Sequence, residues 1–422
     1  MQNNLEEENL RLRRAVEELS ILNEITTAIS STMKVEEITK LIVSKCIQRI
    51  GVEQGAVTLL KEDQAEPLKT FVRVMDNKMD NVPYRLGLSL TGWMLKNQKP
   101  LLINDLSTDQ RFSGISLGTE RIKSVLSVPL KVKNKMIGHV SLFNKKEKDF
   151  TEEDLRLLSI IAIQSAQTIE YARLYEEERK LVDLEKDLKV ASHIQQALLP
   201  KGNPTFEDME ILGQWIPAKQ VGGDYYDFIQ IDDSHLGVVI ADVSGKGTSA
   251  ALLMANLQAC LRGQAMINRS VKDTVTKINF MLSRSTDMGK FITLVYGILN
   301  TKNKTLTYTN AGHNYPFLLD KDGNVKTLES GGTVLGAFEN FGYEEETLQL
   351  NPGDFLLMYT DGITEAMNDK GDMFEEERLL KIIKENKHLS TQELSQKIVD
   401  SVLSFQGSTP QSDDLTLVLL KV

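Results

Sequence analysis

At 422 residues the chain has room for two or three domains of roughly 150 residues each. Its 49 basic and 59 acidic residues leave a net charge of −10, and 41% hydrophobic with 26% charged positions suits packed cores and excludes a mostly disordered chain. The acidic balance disfavours broad nucleic-acid binding, and no apolar run approaches the roughly 18 residues of a membrane span. Glu6, Glu7 and Glu8 make the start too acidic for a secretory signal. The two cysteines, Cys46 and Cys260, have no partners at metal spacing, which suits a reducing, cytoplasmic setting. Five histidines (His139, His193, His235, His313, His388) form no pair four residues apart, which argues against a zinc hydrolase.

Leu5, Leu12 and Leu19 recur every seventh residue and are followed by Leu22. Two readings stay open for residues 1–18: a coiled coil or a lone amphipathic helix. Helical spacing continues through Ile25, Ile29, Val35, Ile38, Leu41 and Ile42 towards Ile50. The period then changes. Gly55–Leu60, Lys69–Val74, Ser124–Leu130 and Met136–Phe143 read as strands, with Asn134 and Lys135 at a hairpin turn between the last two. A helix from Glu152 to about Tyr171 closes an α+β domain over residues 19–171.

No Gly or Pro interrupts that helix before Pro200. Leu174, Leu181 and Leu188 keep the spacing of seven, with Leu184 and Ala191 at the complementary position. The stripe is narrow and its flanks are charged, so residues 172–199 read as a parallel two-stranded coiled coil rather than a solvated linker helix. Residues 200–422 form a second α+β domain. It holds helices at about Ser249–Arg262 and Val271–Arg284, a hairpin across Asn300–Lys304, a helical pair (Phe374–Asn386 and Thr391–Phe405) and a last strand, Leu415–Leu420.

Three places in this second domain set aspartate at a strand end beside a tight turn. Leu236–Ala241 ends at Asp242, Asp354–Thr360 ends at Asp361-Gly362, and Asp413-Asp414 precede the last strand. If that strand runs antiparallel to the other two, the three carboxylates meet at one rim. Asp224 follows Gly222-Gly223, whereas Asp227, three residues on, faces the opposite side. Carboxylates gathered this closely cannot all stay ionised unaided. Two divalent cations would neutralise them, all-oxygen ligation selects Mg²⁺ or Mn²⁺, and such a pair can activate water against a phosphoryl group. Any one Asp-Gly is ordinarily just a turn; several at strand ends point to a site.

The residues Gly222–Asp227, Ile240–Gly247, Asn310–Pro316, Gly331–Gly336, Tyr359–Glu365 and Asp413–Thr416 follow the motif order of the PPM-type protein phosphatases. More narrowly, with Ile194–Pro200 as an entry helix, the chain from about Ala191 to Val422 resembles the bacterial SpoIIE-like branch. That resemblance implies an αββα sandwich with two Mn²⁺ or Mg²⁺ ions, hydrolysing phosphoserine or phosphothreonine through metal-activated water. It implies that Asp242 bridges both ions, that the Val243 carbonyl holds the second, and that Asp361 and Asp413 complete the first. Asp224 would act through water or on the second ion, and Asp414 stands beside the ligand position. Asp242 and Asp361 are the catalytic pair on this reading. The arginine that many eukaryotic relatives use to grip phosphate has no counterpart here.

Other features carry less. Gly245-Lys246-Gly247-Thr248 lacks the upstream glycine of a nucleotide-cradling loop, because position 240 is isoleucine. His313 reads as structural rather than as an acid near the site, Met254 as core, and Lys246 as a solvated loop lysine, with contact to substrate as its alternative. In the first half, Leu88–Asp105, Ser124–Leu130, Gly138 and Phe150–Asp154 resemble GAF sensory domains over about Leu19–Tyr171. Such domains imply a small-ligand pocket or a ligand-free dimer interface, and the ligand is not identified. The combined expectation is a cytoplasmic, homodimeric, GAF-regulated phosphatase acting on a phosphorylated anti-sigma-factor antagonist, with no nucleic acid and no membrane span. Two alternatives stay open: a non-enzymatic sensor-scaffold and a small-phosphoester hydrolase.

Overall fold

The computed structural model describes residues 34–60, 68–74, 88–112, 122–285 and 289–422. The heptad leucines Leu5, Leu12 and Leu19 lie outside them. The chain divides into two compact units, Met1–Asp183 and Leu184–Val422.

In the first unit, α1 (Val35–Ile50) is followed by β1 (Val52–Leu60), β2 (Leu68–Val74), α2 (Leu88–Asn97), β3 (Leu101–Ile103), β4 (Val125–Val132) and β5 (Lys135–Lys145). The five strands form one antiparallel sheet in the order β2-β1-β5-β4-β3. Alternation along β5 sends Val140 and Leu142 to a core shared with Ile42, Val43 and Ile47 of α1 and with Leu158, Ile161 and Ile169. The opposite face packs Phe143 with Met94, Leu101 and Phe112. Cys46 is buried in the first of these cores, and burial pushes its thiol up to about 12, so it is an inert core residue.

The helix after β5 is α3, Glu152–Leu198, 47 residues without a break. Thr151 accepts at its side-chain oxygen from the Asp154 amide, while Asp154 accepts from the Thr151 amide at 2.8 Å, a reciprocal start of the capping-box type. Among the described residues no helix is long and apolar enough to cross a membrane.

The second unit contains β6 (Glu210–Ile216), β7 (Tyr225–Asp232), β8 (His235–Val243), α4 (Thr248–Ala265), α5 (Val271–Ser283), β9 (Ile292–Asn300), β10 (Thr305–Ala311), β11 (Phe317–Leu319), β12 (Val325–Thr327), β13 (Gly331–Gly332), β14 (Glu346–Gln349), β15 (Phe355–Tyr359), α6 (Asp361–Thr364), α7 (Glu375–Asn386), α8 (Thr391–Gln406) and β16 (Leu415–Lys421). One sheet runs β13-β10-β9-β8-β7, with β14 also on β10; the other runs β12-β11-β15-β16-β6. Period-two alternation separates three layers of core. Leu356, Met358, Val418 and Leu420 face the first sheet, whose other residues pack on Met254, Leu257 and Leu261 of α4 and on Val275 and Ile278 of α5. Phe355, Leu357, Leu417 and Leu419 face the other way, onto Leu379, Ile383, Leu394 and Ile398 of α7 and α8. The layers are therefore helix, sheet, sheet, helix, and Met254 is core.

One expectation changes here. The last strand is antiparallel to β15, but β8 belongs to the other sheet. The carboxylates meet because two stacked sheets bring their ends together, not because three strands share one sheet.

Candidate metal centre

Asp242 sits near the end of β8, Asp361 opens α6 directly after β15, Asp413 and Asp414 precede β16, and Asp224 precedes β7. Each stands where a strand gives way to a turn, so the backbone delivers carboxylates to one rim without using the strand interiors. Two glycines permit the approach. A Cβ on Gly222 would lie 1.8 Å from Asp414 Oδ2, and one on Gly362 would lie 2.0 Å from the Asp414 carbonyl oxygen. A Cβ on Gly223 would stand 2.9 Å from the Val243 carbonyl and 3.4 Å from Asp242 Oδ1, which places the Val243 carbonyl beside the cluster.

Asp224, Asp413 and Asp414 each have protein partners. Asp224 is buried, and its Oδ2 accepts from Thr360 Oγ1 at 2.8 Å and from Thr416 Oγ1. Thr360 Oγ1 in turn accepts from the Thr416 amide at 3.1 Å, which locks the end of β15 to the start of β16. Asp414, also buried, accepts at Oδ1 from the Ala218 amide at 2.8 Å. Asp413 accepts from its neighbour's amide at 2.9 Å and pairs with Lys246 Nζ at 2.8 Å. Asp227 does face away: it is buried against Arg262, whose Nη2 donates at 3.0 Å, and it accepts from Tyr225 Oη at 2.6 Å.

Burial and mutual repulsion dominate the electrostatics. Desolvation first, then the Asp361, Asp413 and Asp414 charges, push Asp242 up to about 7. Desolvation, then Glu365 and Asp413, push Asp361 up to about 6. Asp224 is held well above the carboxylate range by burial and by Asp242 and Asp414. Five carboxylates thus carry more negative charge than the nearby donors neutralise.

That donor set fits hard divalent cations, which take oxygen ligands and offset clustered negative charge. Among the described residues, no three His, Cys, Asp or Glu side chains already converge as a finished ion site. The hydrogen bonds explain this: Asp224, Asp413 and Asp414 are each turned onto threonine, lysine or amide donors, and ligation would exchange those partners for an ion.

Two residues outside the carboxylate set hold the rim, and the first, His313, is structural as its sequence setting suggests. His313 is buried, with Nε2 donating to the Tyr359 carbonyl at 3.0 Å and Nδ1 accepting from Thr293 Oγ1 at 2.8 Å. Burial pushes it down to about 4, so it serves as a neutral strut between β9 and the residue before Thr360 and Asp361. His313→Ala is expected to cost about 2–4 kcal/mol in denaturant melts, from a cavity plus two stranded polar groups, and to lower turnover through Asp361. Wild-type stability would show the strut to be dispensable. Gln195, near the end of α3, is buried and clamps Gly222 in both directions: Nε2 donates to its carbonyl at 2.8 Å and Oε1 accepts from its amide at 3.0 Å. His313 and Gln195 lie in segments that the sequence resemblance already marked, Asn310–Pro316 and Ile194–Pro200, but no local pattern assigned Gln195 its contact with Gly222.

Comparison with known proteins adds the family context. Residues 232–422 match the family described as Stage II sporulation protein E (SpoIIE), and residues 32–170 match the GAF domain family. The chain is 32% identical over 258 residues to the phosphoserine phosphatase RsbU of Bacillus subtilis (strain 168), covering 60% of this chain and 76% of that protein. It is 24% identical over 246 residues to the phosphoserine phosphatase RsbP of the same organism, covering 57% of this chain and 59% of that one. Among solved structures, the SiaA-PP2C domain of Pseudomonas aeruginosa superposes with a TM-score of 0.51 at 21% identity, covering 58% of this chain and 98% of that one. That last likeness speaks to fold alone.

Proposed function

The chain belongs to the RsbU-like family of SpoIIE-type phosphoserine phosphatases, with a GAF domain ahead of the phosphatase domain, and on that premise we propose a substrate, an ion centre and a route of regulation. The substrate is a phosphorylated anti-sigma-factor antagonist, and the centre holds two Mn²⁺ or Mg²⁺ ions. The observation that carries the centre is the five-carboxylate rim with Asp242 and Asp361 pushed into the neutral range. Asp242, the Val243 carbonyl, Asp361 and Asp413 would hold the ions, with Asp224 and Asp414 beside them. Such ions supply an activated water and mask phosphoryl charge. The chain's own part is positional: Thr360 and Thr416 orient Asp224, the Ala218 amide orients Asp414, and His313 fixes the approach to Asp361.

The test is Mn²⁺-dependent phosphate release from the phosphoserine antagonist beside release from a small aryl phosphate. Efficient turnover of the phosphoprotein is expected. Turnover of the aryl phosphate alone would favour a small-phosphoester hydrolase, and silence on both a scaffold.

For regulation, the domain boundaries proposed are 1–18, 19–171, 172–199 and 200–422, with α3 as a coiled-coil switch in a homodimer. Leu174, Leu181 and Leu184 are 53%, 63% and 55% exposed in the single chain, an apolar stripe at heptad spacing that a second copy would cover. The same helix ends in the Gln195 clamp on Gly222, so a turn of α3 would press on the loop that abuts Asp414. Replacing Leu181, Leu184 and Leu188 by serine is expected to give a monomer in sedimentation and to change turnover by about tenfold, within the usual range of coupling energies. A dimer with unaltered turnover would remove α3 from the switch.

A further inference from the structure

The phosphate group needs a cation that the carboxylate rim does not itself provide, and the second unit places one there. Lys246 lies in the turn between β8 and α4, flanked by Gly245 and Gly247 at φ +96° and +79°, a backbone path that sends its side chain across to the opposite loop. Its Nζ donates to the Ser412 carbonyl at 2.7 Å and pairs with Asp413 Oδ2 at 2.8 Å, while the side chain stays 48% exposed. Gly222, Gly223, Asp413, Asp414 and Lys219 line the same cleft. Lys290 donates instead to the Ser244 carbonyl at 3.3 Å. Lys246 is therefore an ammonium in direct contact with the carboxylate rim that also remains open to solvent.

We infer that Lys246 is a substrate-binding residue that grips the phosphoryl oxygens, resting on the ion-centre reading above. Asp413 is a proposed ion ligand, so the partner that Lys246 holds here is one it would share with, or yield to, a divalent cation. An ammonium carries three donors; the Ser412 carbonyl and Asp413 take two, which leaves one for an incoming phosphate dianion and a second where Asp413 yields to an ion. The four-carbon stem provides the reach. The adjoining start of α4 strengthens the case: Gly247 offers no side-chain cap, so the positive end of an 18-residue helix faces the same turn. The alternative role is narrower, a counter-ion that merely neutralises Asp413.

The two roles separate on the full-length Lys246→Gln and Lys246→Arg proteins by two measurements: Mn²⁺ affinity by calorimetry without substrate, and competitive inhibition by inorganic phosphate alongside KM for the phosphoprotein. For a grip at a half-exposed site, Lys246→Gln is expected to raise both the phosphate inhibition constant and KM about five- to tenfold, with Mn²⁺ affinity undiminished and Lys246→Arg recovering most of the loss. An unchanged phosphate inhibition constant with only Mn²⁺ affinity shifted would overturn the proposal and make Lys246 a counter-ion. Failure of the wild-type protein to bind Mn²⁺ would instead overturn the ion centre, and the proposal with it.

Discussion

Asp242→Asn is expected to abolish phosphate release while making the ion-free protein harder to unfold. The two effects share one cause. Asp242 lies where burial and the charges of Asp361, Asp413 and Asp414 disfavour its ionised form, so the fold tolerates a carboxylate there at the expense of its own stability. Asparagine keeps the shape and removes the charge. Turnover should fall by about three orders of magnitude or more, as when a central charged group of an active site is lost. Mn²⁺ should raise the melting temperature of the wild type, because an ion that binds only the folded state stabilises by mass action, and should leave the variant's melting temperature close to unchanged.

The pH dependence follows in sign. Both Asp242, at about 7, and Asp361, at about 6, sit above the ordinary value of 3.8. Between about pH 4 and 7 the folded chain holds protons that the unfolded chain has released, so stability in chelator falls as pH rises through that window. Above it the penalty is complete; below it the penalty vanishes. Asp242→Asn should therefore gain on the order of 2–4 kcal/mol at pH 7.5 and almost nothing at pH 4, read from melts in chelator. A variant equally destabilised at both pH values would mean that the carboxylate is held for its hydrogen bonds and not strained by its neighbours.

How much of this was legible in the sequence depends on the range of the contacts. Asp242 and Asp361 stood out as candidates because an apolar run, an acid and a following glycine turn are all local signals, and Asp413 because it directly precedes the last strand. The hairpin across Asn300–Lys304 was equally local, and β9 and β10 meet there with Thr305 opposite Asn300. The sheet to which β8 belongs was not legible, since alternation says which face is buried and not which strand lies alongside. Gln195 and Gly222 are 27 positions apart, and Thr416 and Asp224 are 192 apart, so neither contact leaves a local pattern. Lys246 shows the same limit from the other side: a lysine between two glycines reads as solvated loop until the fold returns Ser412 and Asp413 to it.

Gly362→Ala should disable the site although Gly362 supplies no ligand and no proton. The added Cβ would stand 2.0 Å from the Asp414 carbonyl oxygen, 2.9 Å from the Asp414 carbonyl carbon and 3.4 Å from that of Asp413. These are backbone atoms, so no side-chain rotation relieves the clash. Either α6 lifts and takes Asp361 with it, or the Asp413–Asp414 turn retreats; both separate carboxylates that now share the rim. A displacement of about an ångström at a positioned group costs roughly a hundredfold in turnover. Overpacking of this kind costs about 1–3 kcal/mol, too little to unfold a domain with cores on both faces of each sheet. The expected signature is thus a folded protein with a modestly lowered melting temperature, weakened Mn²⁺ binding and a collapse of turnover with phosphoprotein and aryl phosphate alike. Turnover within a fewfold of wild type would show that the rim tolerates separation, and that close contact between α6 and the β16 turn is a packing feature independent of the chemistry.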